Sequence, residues 1–407
     1  LFMNPWQHLE KVRHKSSRLW IGLMSGTSLD GLDVALVTIT GSGSSTKMFL
    51  EAFASLPYSA EWQKCLQHCT NPMKVSAIEL GQLHVALGSH WAELVLQQLH
   101  DWQIDSKSID ALASHGQTVM HLPPESSLRE YLPKTFLNQS PTTWQLGDAD
   151  QLAQKINLPV VSDFRMKDLA GGGTGAPLLP YLDFLLFNRI GVVRVVHNLG
   201  GISNLTFLPG SDNSEEVLAF DTGPANLLLN IAMQRSGTNE LYDKDGQTAA
   251  KGKANKILLN QWLNHPYLNL GLPKSTGREE FGFDLMRIWL NEAKLAGLSL
   301  PDLMATLTAF TAESINRAYR NFLPRMPKES FLSGGGSFNK ELRRQIGRRL
   351  PEVQFRDFSE LGQPAEAREA IGFAVLGNQF LVGESTTFPG ITGNQTSVIL
   401  GKLSLPN

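Results

Sequence analysis

Glycine in this chain gathers in knots at the ends of apolar runs, and two of those knots share one plan. In Leu19–Ile39 an apolar run enters, the turn Ser25-Gly-Thr-Ser-Leu-Asp-Gly31 follows, and a second run rich in β-branched residues leaves. Val192–Phe207 repeats the plan around Asn198-Leu-Gly-Gly-Ile-Ser-Asn204. Both read as strand, glycine-rich turn, strand. Helical patterns over Ala60–Cys69, Val75–Leu99, Phe283–Ala296 and Pro301–Phe322 alternate with short apolar runs at Ile109–Ser114, Leu158–Ser162, Val217–Phe220 and Ser330–Ser333. Such alternation predicts an α/β protein. The matching openings predict two domains with related cores.

The 407 residues suit two domains. Thirty-six basic against 38 acidic side chains leave a formal charge of -2, which argues against a nucleic-acid partner held by bulk charge. No apolar run approaches the roughly 20 residues of a membrane span. Cys65 and Cys69 cannot build a disulfide framework, which fits a reducing, cytoplasmic setting. With His68 they also fall short of the four ligands of a closed zinc site. Leu1–Arg18 reads as a loosely held basic extension, and the proline-rich stretch Leu122–Pro141 as a surface loop or lid.

The first turn, Ser25, Gly26, Thr27, Ser28, Leu29, Asp30 and Gly31, has the make-up of an anion cradle. Glycines let backbone N–H groups approach phosphate oxygens, and hydroxyls add donors. It lacks the Gly-Lys-Ser/Thr of a Walker A loop and leads into a strand, so a plain glycine hairpin fits it equally well. The second turn supplies the same device through Asn198, Gly200, Gly201 and Asn204. Asp221-Thr-Gly-Pro-Ala-Asn226 places Asp221 at an expected strand end, with Gly223 and Asn226 after it. Gly334, Gly335 and Gly336 form a further strand-to-helix turn suited to a flat nucleoside. Four such turns in a duplicated α/β chain favour a nucleotide cleft. Gly171-Gly-Gly-Thr-Gly-Ala-Pro177 has dinucleotide-fold spacing, but no strand leads into it.

Asp163 follows an apolar strand, a position where α/β proteins place reactive groups. Arg165 and Lys167 are expected to keep it ionised, as a general base requires; a surface aspartate paired to its neighbours is the competing reading. Ser114-His-Gly-Gln-Thr118 offers neutral donors and acceptors for sugar hydroxyls, although His115 alone also suits a structural role. Glu369, on an amphipathic helix, reads as solvent-facing.

Together these segments resemble the anhydro-N-acetylmuramic acid kinase family of the actin-like sugar kinase superfamily. The matching stretches are Met24–Asp33, Ser114–Thr118, Gln145–Asp148, Asp163–Arg165, Gly175–Pro177, Asn198–Asn204, Asp221–Asn226, Tyr242–Asp245, Pro273–Arg278 and Ser333–Gly336. The likeness runs in order from about Trp20 to the C-terminus. It departs at the N-terminal extension, at the proline-rich insertion, and at Ala225, where the family pattern has Gly. The resemblance implies two actin-like (ribonuclease H-like) domains with a nucleotide cleft between them. The first covers residues 19–188 and 365–407 after an extension at 1–18; the second covers 189–364.

It further implies an ATP- and Mg²⁺-dependent kinase that opens an anhydro amino sugar and phosphorylates O6 in cell-wall recycling. Asp163 would be the base, and His115, Gln117, Thr118, Gln145, Asp148, Arg165 and Glu369 would contact the sugar. Asp30 and Asp221 would approach the metal, mainly through water. A homodimer is left open. A hexose or acetate kinase, a glycoside hydrolase using Asp163 and Glu369, and a filament-type ATPase are the rival readings.

Overall fold

Leu32, Val34, Ala35, Leu36, Val37 and Ile39 are all buried, as a strand covered on both faces requires. The computed structural model that places them describes residues 4–26, 29–70, 75–122, 141–238, 240–278, 280–388 and 390–407. The insertion expected as a lid therefore lies, but for its ends, outside the described residues. The chain divides into two compact units, one running to Leu186 and resuming over Glu366–Asn407, the other Phe187–Ala365.

Strands β1 Ser17–Ser25, β2 Gly31–Thr40, β3 Lys47–Pro57, β4 Ala111–Leu122, β5 Thr142–Leu146 and β6 Val160–Ser162 belong to the first unit. The second holds β7 Arg194–Leu199, β8 Ile202–Leu208, β9 Leu218–Pro224, β10 Glu329–Ser333 and β11 Gln354–Asp357; β12 Lys402–Ser404 returns to the first. The first sheet runs β12-β6-β4-β1-β2-β3, with β5 also on β4, and the second runs β11-β10-β7-β8-β9. In each, three strands form an antiparallel meander. A fourth then lies parallel to the first strand of that meander and a fifth parallel to the fourth. The duplication suggested by the two turns is thus a duplication of topology, the meander-plus-crossover sheet of the ribonuclease H-like, actin-like fold.

Helices supply the crossovers. Ser76 caps Ala77–Asp101 through a capping box, accepting from the Glu79 N–H while Glu79 accepts from the Ser76 N–H. Ser299 and Pro301 open Leu300–Phe322, whose buried face includes Met304, Phe310, Ile315 and Tyr319. The C-terminal helix Arg368–Val382 crosses β1 so closely that a Cβ on Gly22 would stand 1.9 Å from the Ala370 carbonyl oxygen.

The N-terminal extension differs from the loose segment expected. Pro5–His14 is helical, with Asn4 accepting from the Trp6 N–H. Arg18 ties it down: the buried guanidinium donates to the Val12 and Arg13 carbonyls and to Asn378 Oδ1. Several hydrogen bonds from one buried cation organise a segment that is too short to bury an apolar face of its own.

Candidate active site

In the first unit the turn after β1 is anchored from beneath. Trp91 Nε1 donates to the Tyr58 hydroxyl at 2.9 Å, and that hydroxyl lies 2.7 Å from Ser25 Oγ. Ser25 Oγ in turn donates to Gln117 Oε1 at 2.6 Å. Gln117 Nε2 donates to the Gly26 carbonyl at 2.8 Å, which fixes the amide orientation and hence the donor order along the chain. Burial pushes the Tyr58 phenol up to about 12, so it stays a donor. Ser25 and Gln117 are buried and used in this relay. The hydroxyl expected on phosphate and the amide expected on sugar instead stiffen the turn. Thr27 and Ser28 lie outside the described residues. Leu29 follows them with φ at 59°, and Asp30 is exposed.

Asp163 stands at the C-terminal end of β6 and opens the helix Phe164–Ala170 with φ 60° and ψ 37°. A non-glycine residue held left-handed costs about 1–3 kcal/mol, and such residues cluster at active sites; Leu29, Gln103, Asn157 and Asp245 share the conformation in this chain. Its carboxylate pairs with Lys402, placed there because β12 runs antiparallel to β6 with Lys402 opposite Ser162. This corrects the expectation that Arg165 and Lys167 supply the positive charge. Lys167 is exposed, and Arg165 turns elsewhere. Arg165 Nε donates to His115 Nε2 at 2.8 Å, and Nη1 donates to the Gly175 carbonyl at 2.7 Å. Asp168, fully buried, closes the same loop by accepting from the Gly175 N–H, Thr392 and Asn394. Burial raises the Asp168 carboxyl, and these donors oppose it.

Glu369 is exposed on the first turn of Arg368–Val382, close enough to Arg165 and Asp33 to act on both charges. Burial, then Asp30, Glu369 and Glu366, push the Asp33 carboxyl up against a hydrogen bond from Ser55. Gln145 Nε2 donates to Thr143 and Thr118, while its Oε1 is buried with no partner among the described residues. Asp148 caps the helix Ala149–Ile156 through the Gln151 N–H and pairs with His84. Its carboxylate therefore serves a helix terminus where a sugar contact was expected.

In the second unit the tip of the β7–β8 hairpin is Gly200-Gly201, and its carbonyls accept the first N–H groups of the helix Asn226–Arg235. Asn226 donates to Gly200, and Ala225 and Leu227 donate to Gly201. Asn226 Nδ2 adds a bond to the Leu199 carbonyl at 3.1 Å. Asn198 pairs with Asn204 across the hairpin. The turn after β10 is pressed against the same tip. Gly334 has φ 76°, and a Cβ there would sit 2.5 Å from Asn198 Oδ1. Gly336 stands against Leu199, and Gly335 and Gly336 face Asn226 Nδ2. Three of the four glycine turns thus form one surface.

Asp221 is not at a strand end, because β9 continues to Pro224. Its carboxylate accepts from the Thr276 N–H at 2.8 Å, and its carbonyl accepts from Tyr267. Lys274, beside it, is buried over the rings of Phe322, Tyr267 and Phe220, and burial lowers its ammonium to about 8 against the pull of Asp221.

Residues 18–406 match the family model described as anhydro-N-acetylmuramic acid kinase. A protein of that name from Caldanaerobacter subterraneus is 36% identical over 98% of this chain and 99% of its own. Those from Gloeobacter violaceus and Francisella tularensis subsp. novicida are each 39% identical, over 94% of this chain and 97% and 98% of theirs. The chain belongs to the anhydro-N-acetylmuramic acid kinase family.

In this member of the family, sequence reasoning missed Lys402, Tyr58, Trp91 and Phe373, the last lying under the His115 ring with centroids 4.6 Å apart. Lys402 is 239 positions from Asp163, and only the pairing of a three-residue strand brings them together. Tyr58 and Trp91 carry the ordinary apolar signal of a core. Their donors were the available hint, since buried Tyr and Trp groups seek partners. Among the described residues no group of three or more His, Cys, Asp or Glu side chains could hold a metal ion. None of the described helices is long and apolar enough to cross a membrane.

Proposed function

We propose that this chain is an ATP-dependent phosphotransferase acting on 1,6-anhydro-N-acetylmuramic acid. It opens the ring with water and phosphorylates the freed O6, giving N-acetylmuramic acid 6-phosphate for peptidoglycan recycling in the cytoplasm. The observation that carries the reading is Asp163, a lysine-paired carboxylate held in left-handed backbone at a strand's C-terminal end, in a chain of this family. Asp163 takes a proton from a water aimed at the anomeric carbon, on the face opposite the bridging oxygen. The C1–O6 bond breaks, O6 keeps the electron pair and attacks the γ-phosphoryl group, and ADP leaves. Hydrolysis makes the nucleophile that phosphoryl transfer needs.

Arg165 and Glu369, charged and close to one another, hold the sugar together with Thr118 and Gln145. Each unit carries one glycine-rich turn, Ser25–Gly31 and Asn198–Asn204, whose composition suits backbone donors to phosphate, where charge spreads in the transition state. The surface of Asp221, Gly223, Asn226 and Gly334–Gly336 takes the nucleoside side of ATP. Mg²⁺ fits the donor set as an ion with few protein ligands. Taken each within its own unit, exposed Asp30 and Asp221, whose carboxylate accepts one N–H, offer the hard oxygens that suit an ion otherwise held by water and phosphate. When bound, it neutralises charge on the phosphates.

The test is sugar-stimulated ATP turnover, measured with the anhydro sugar, reducing N-acetylmuramic acid and glucose. Turnover with the anhydro sugar alone is expected. Equal or greater turnover with a reducing sugar would replace the reading with that of an ordinary hexose kinase.

A further inference from the structure

His115 lies in the strand-end segment expected to touch sugar, yet it is 3% exposed and both ring nitrogens already have protein partners. Nδ1 is 2.7 Å from the Gly116 carbonyl, an acceptor only, so Nδ1 carries the proton. Nε2 is 2.8 Å from Arg165 Nε, a donor only, so Nε2 accepts. The two contacts fix one neutral tautomer, and Phe373 holds the ring from one side. Burial, then the Arg165 charge, outweigh the Gly116 and Ser25 backbone groups and keep the ring neutral; the Gly116 and Arg165 contacts choose the tautomer.

Arg165 is thereby clamped at two points, by His115 at Nε and by the Gly175 carbonyl at Nη1. The remaining N–H groups of the guanidinium are held in one plane, on the first turn of the helix that Asp163 opens, beside Glu369. We infer that His115 is a positioning residue: a neutral acceptor that fixes the plane of the Arg165 guanidinium for contact with the sugar, without touching the sugar itself. The inference rests on the reading of Arg165 as a sugar contact. It replaces a direct role for His115 with one exerted through Arg165. Misplacing a binding group by about 1 Å can cost on the order of a hundredfold, so such a residue would matter without contact.

The test compares three replacements that dissect the ring. His115→Gln places an amide oxygen near the Nε2 position and keeps the acceptor for Arg165. His115→Asn keeps a donor for Gly116 and loses the acceptor. His115→Phe keeps the ring on Phe373 and loses both. Affinity for the anhydro sugar is measured by calorimetry, with KM for sugar and for ATP, on variants whose thermal unfolding remains cooperative. His115→Asn and His115→Phe are expected to weaken sugar binding roughly tenfold or more, the scale of a lost hydrogen bond to a charged group, with KM for ATP unchanged. His115→Gln is expected to recover most of that loss.

In an Arg165→Met background, His115→Phe should cost no further affinity, because residues acting as one unit are non-additive. A His115→Asn variant that binds sugar like wild type, or a full His115→Phe penalty in the Arg165→Met background, overturns the inference while leaving the kinase reading intact. A wild-type enzyme that binds no anhydro sugar overturns both.

Discussion

Asp163 and Lys402 face each other across the last two strands of the first sheet, and their chemistry is separable. Replacing Asp163 by Asn keeps the shape and removes the base. A general base contributes about 10²–10⁴-fold, so kcat should fall by that much while ATP binding, followed by nucleotide fluorescence, stays intact. A variant retaining a tenth of wild-type turnover would remove Asp163 from the role. Lys402 is largely solvated, and exposed pairs contribute about 1 kcal/mol or less. Lys402→Met should therefore lower kcat/KM by no more than about fivefold, in line with that energy. A loss comparable to Asp163→Asn would mean that the lysine takes part in the chemistry. The sequence made Asp163 legible because an apolar run ends there; it hid Lys402, because a lysine near a chain end carries no local signal of its partner.

Elements were legible where burial is complete and obscure where it is partial. β2 announces itself as a near-continuous apolar run and the helix Leu300–Phe322 by apolar period, whereas β3 is a half-exposed edge strand and went unread. The helix Phe164–Ala170 was masked by the glycines after it, and the Asp221 strand end was misplaced because Gly223 and Pro224 look like a turn and lie in β9. Two glycines at points of close backbone approach, Gly22 within β1 and Gly334 after β10, give two predictions. Gly22→Ala puts a methyl group into the Ala370 carbonyl and should lower the thermal midpoint by the equivalent of about 1–3 kcal/mol or more, since overpacking a core costs that much. An unchanged midpoint would mean that the C-terminal helix does not lie so close. Gly334→Ala strains a left-handed residue and pushes on Asn198. Steady-state assays should show a raised KM for ATP with sugar affinity unaltered; loss of sugar affinity would count against that turn as a nucleotide surface.

At the scale of the whole molecule, the two matched turn segments pointed to a duplicated fold because one strand order recurs in both units. What the sequence does not carry is how buried polar groups are satisfied, and that governs the response to acid. His197 is lowered to about 3 and His121 to about 4, both mainly by burial, and His115 lies well below its usual value. An unfolded histidine titrates near about 6.5, so between that pH and about 4 the unfolded chain takes up protons that the native chain refuses. Stability should fall as pH drops through this window. Urea midpoints at pH 7 and pH 4.5 check it, with a shallower fall in His197→Gln, and an equal fall in that variant would take His197 out of the account.

One reaction tests the central claim most directly: ATP, Mg²⁺ and the anhydro sugar in ¹⁸O-labelled water, with the product weighed and fragmented. Ring opening by an Asp163-activated water predicts one heavy oxygen at C1 and the phosphoryl group on O6 of the same molecule. A phosphorylated product without the label at C1, or label incorporated with no phosphoryl transfer, would contradict it.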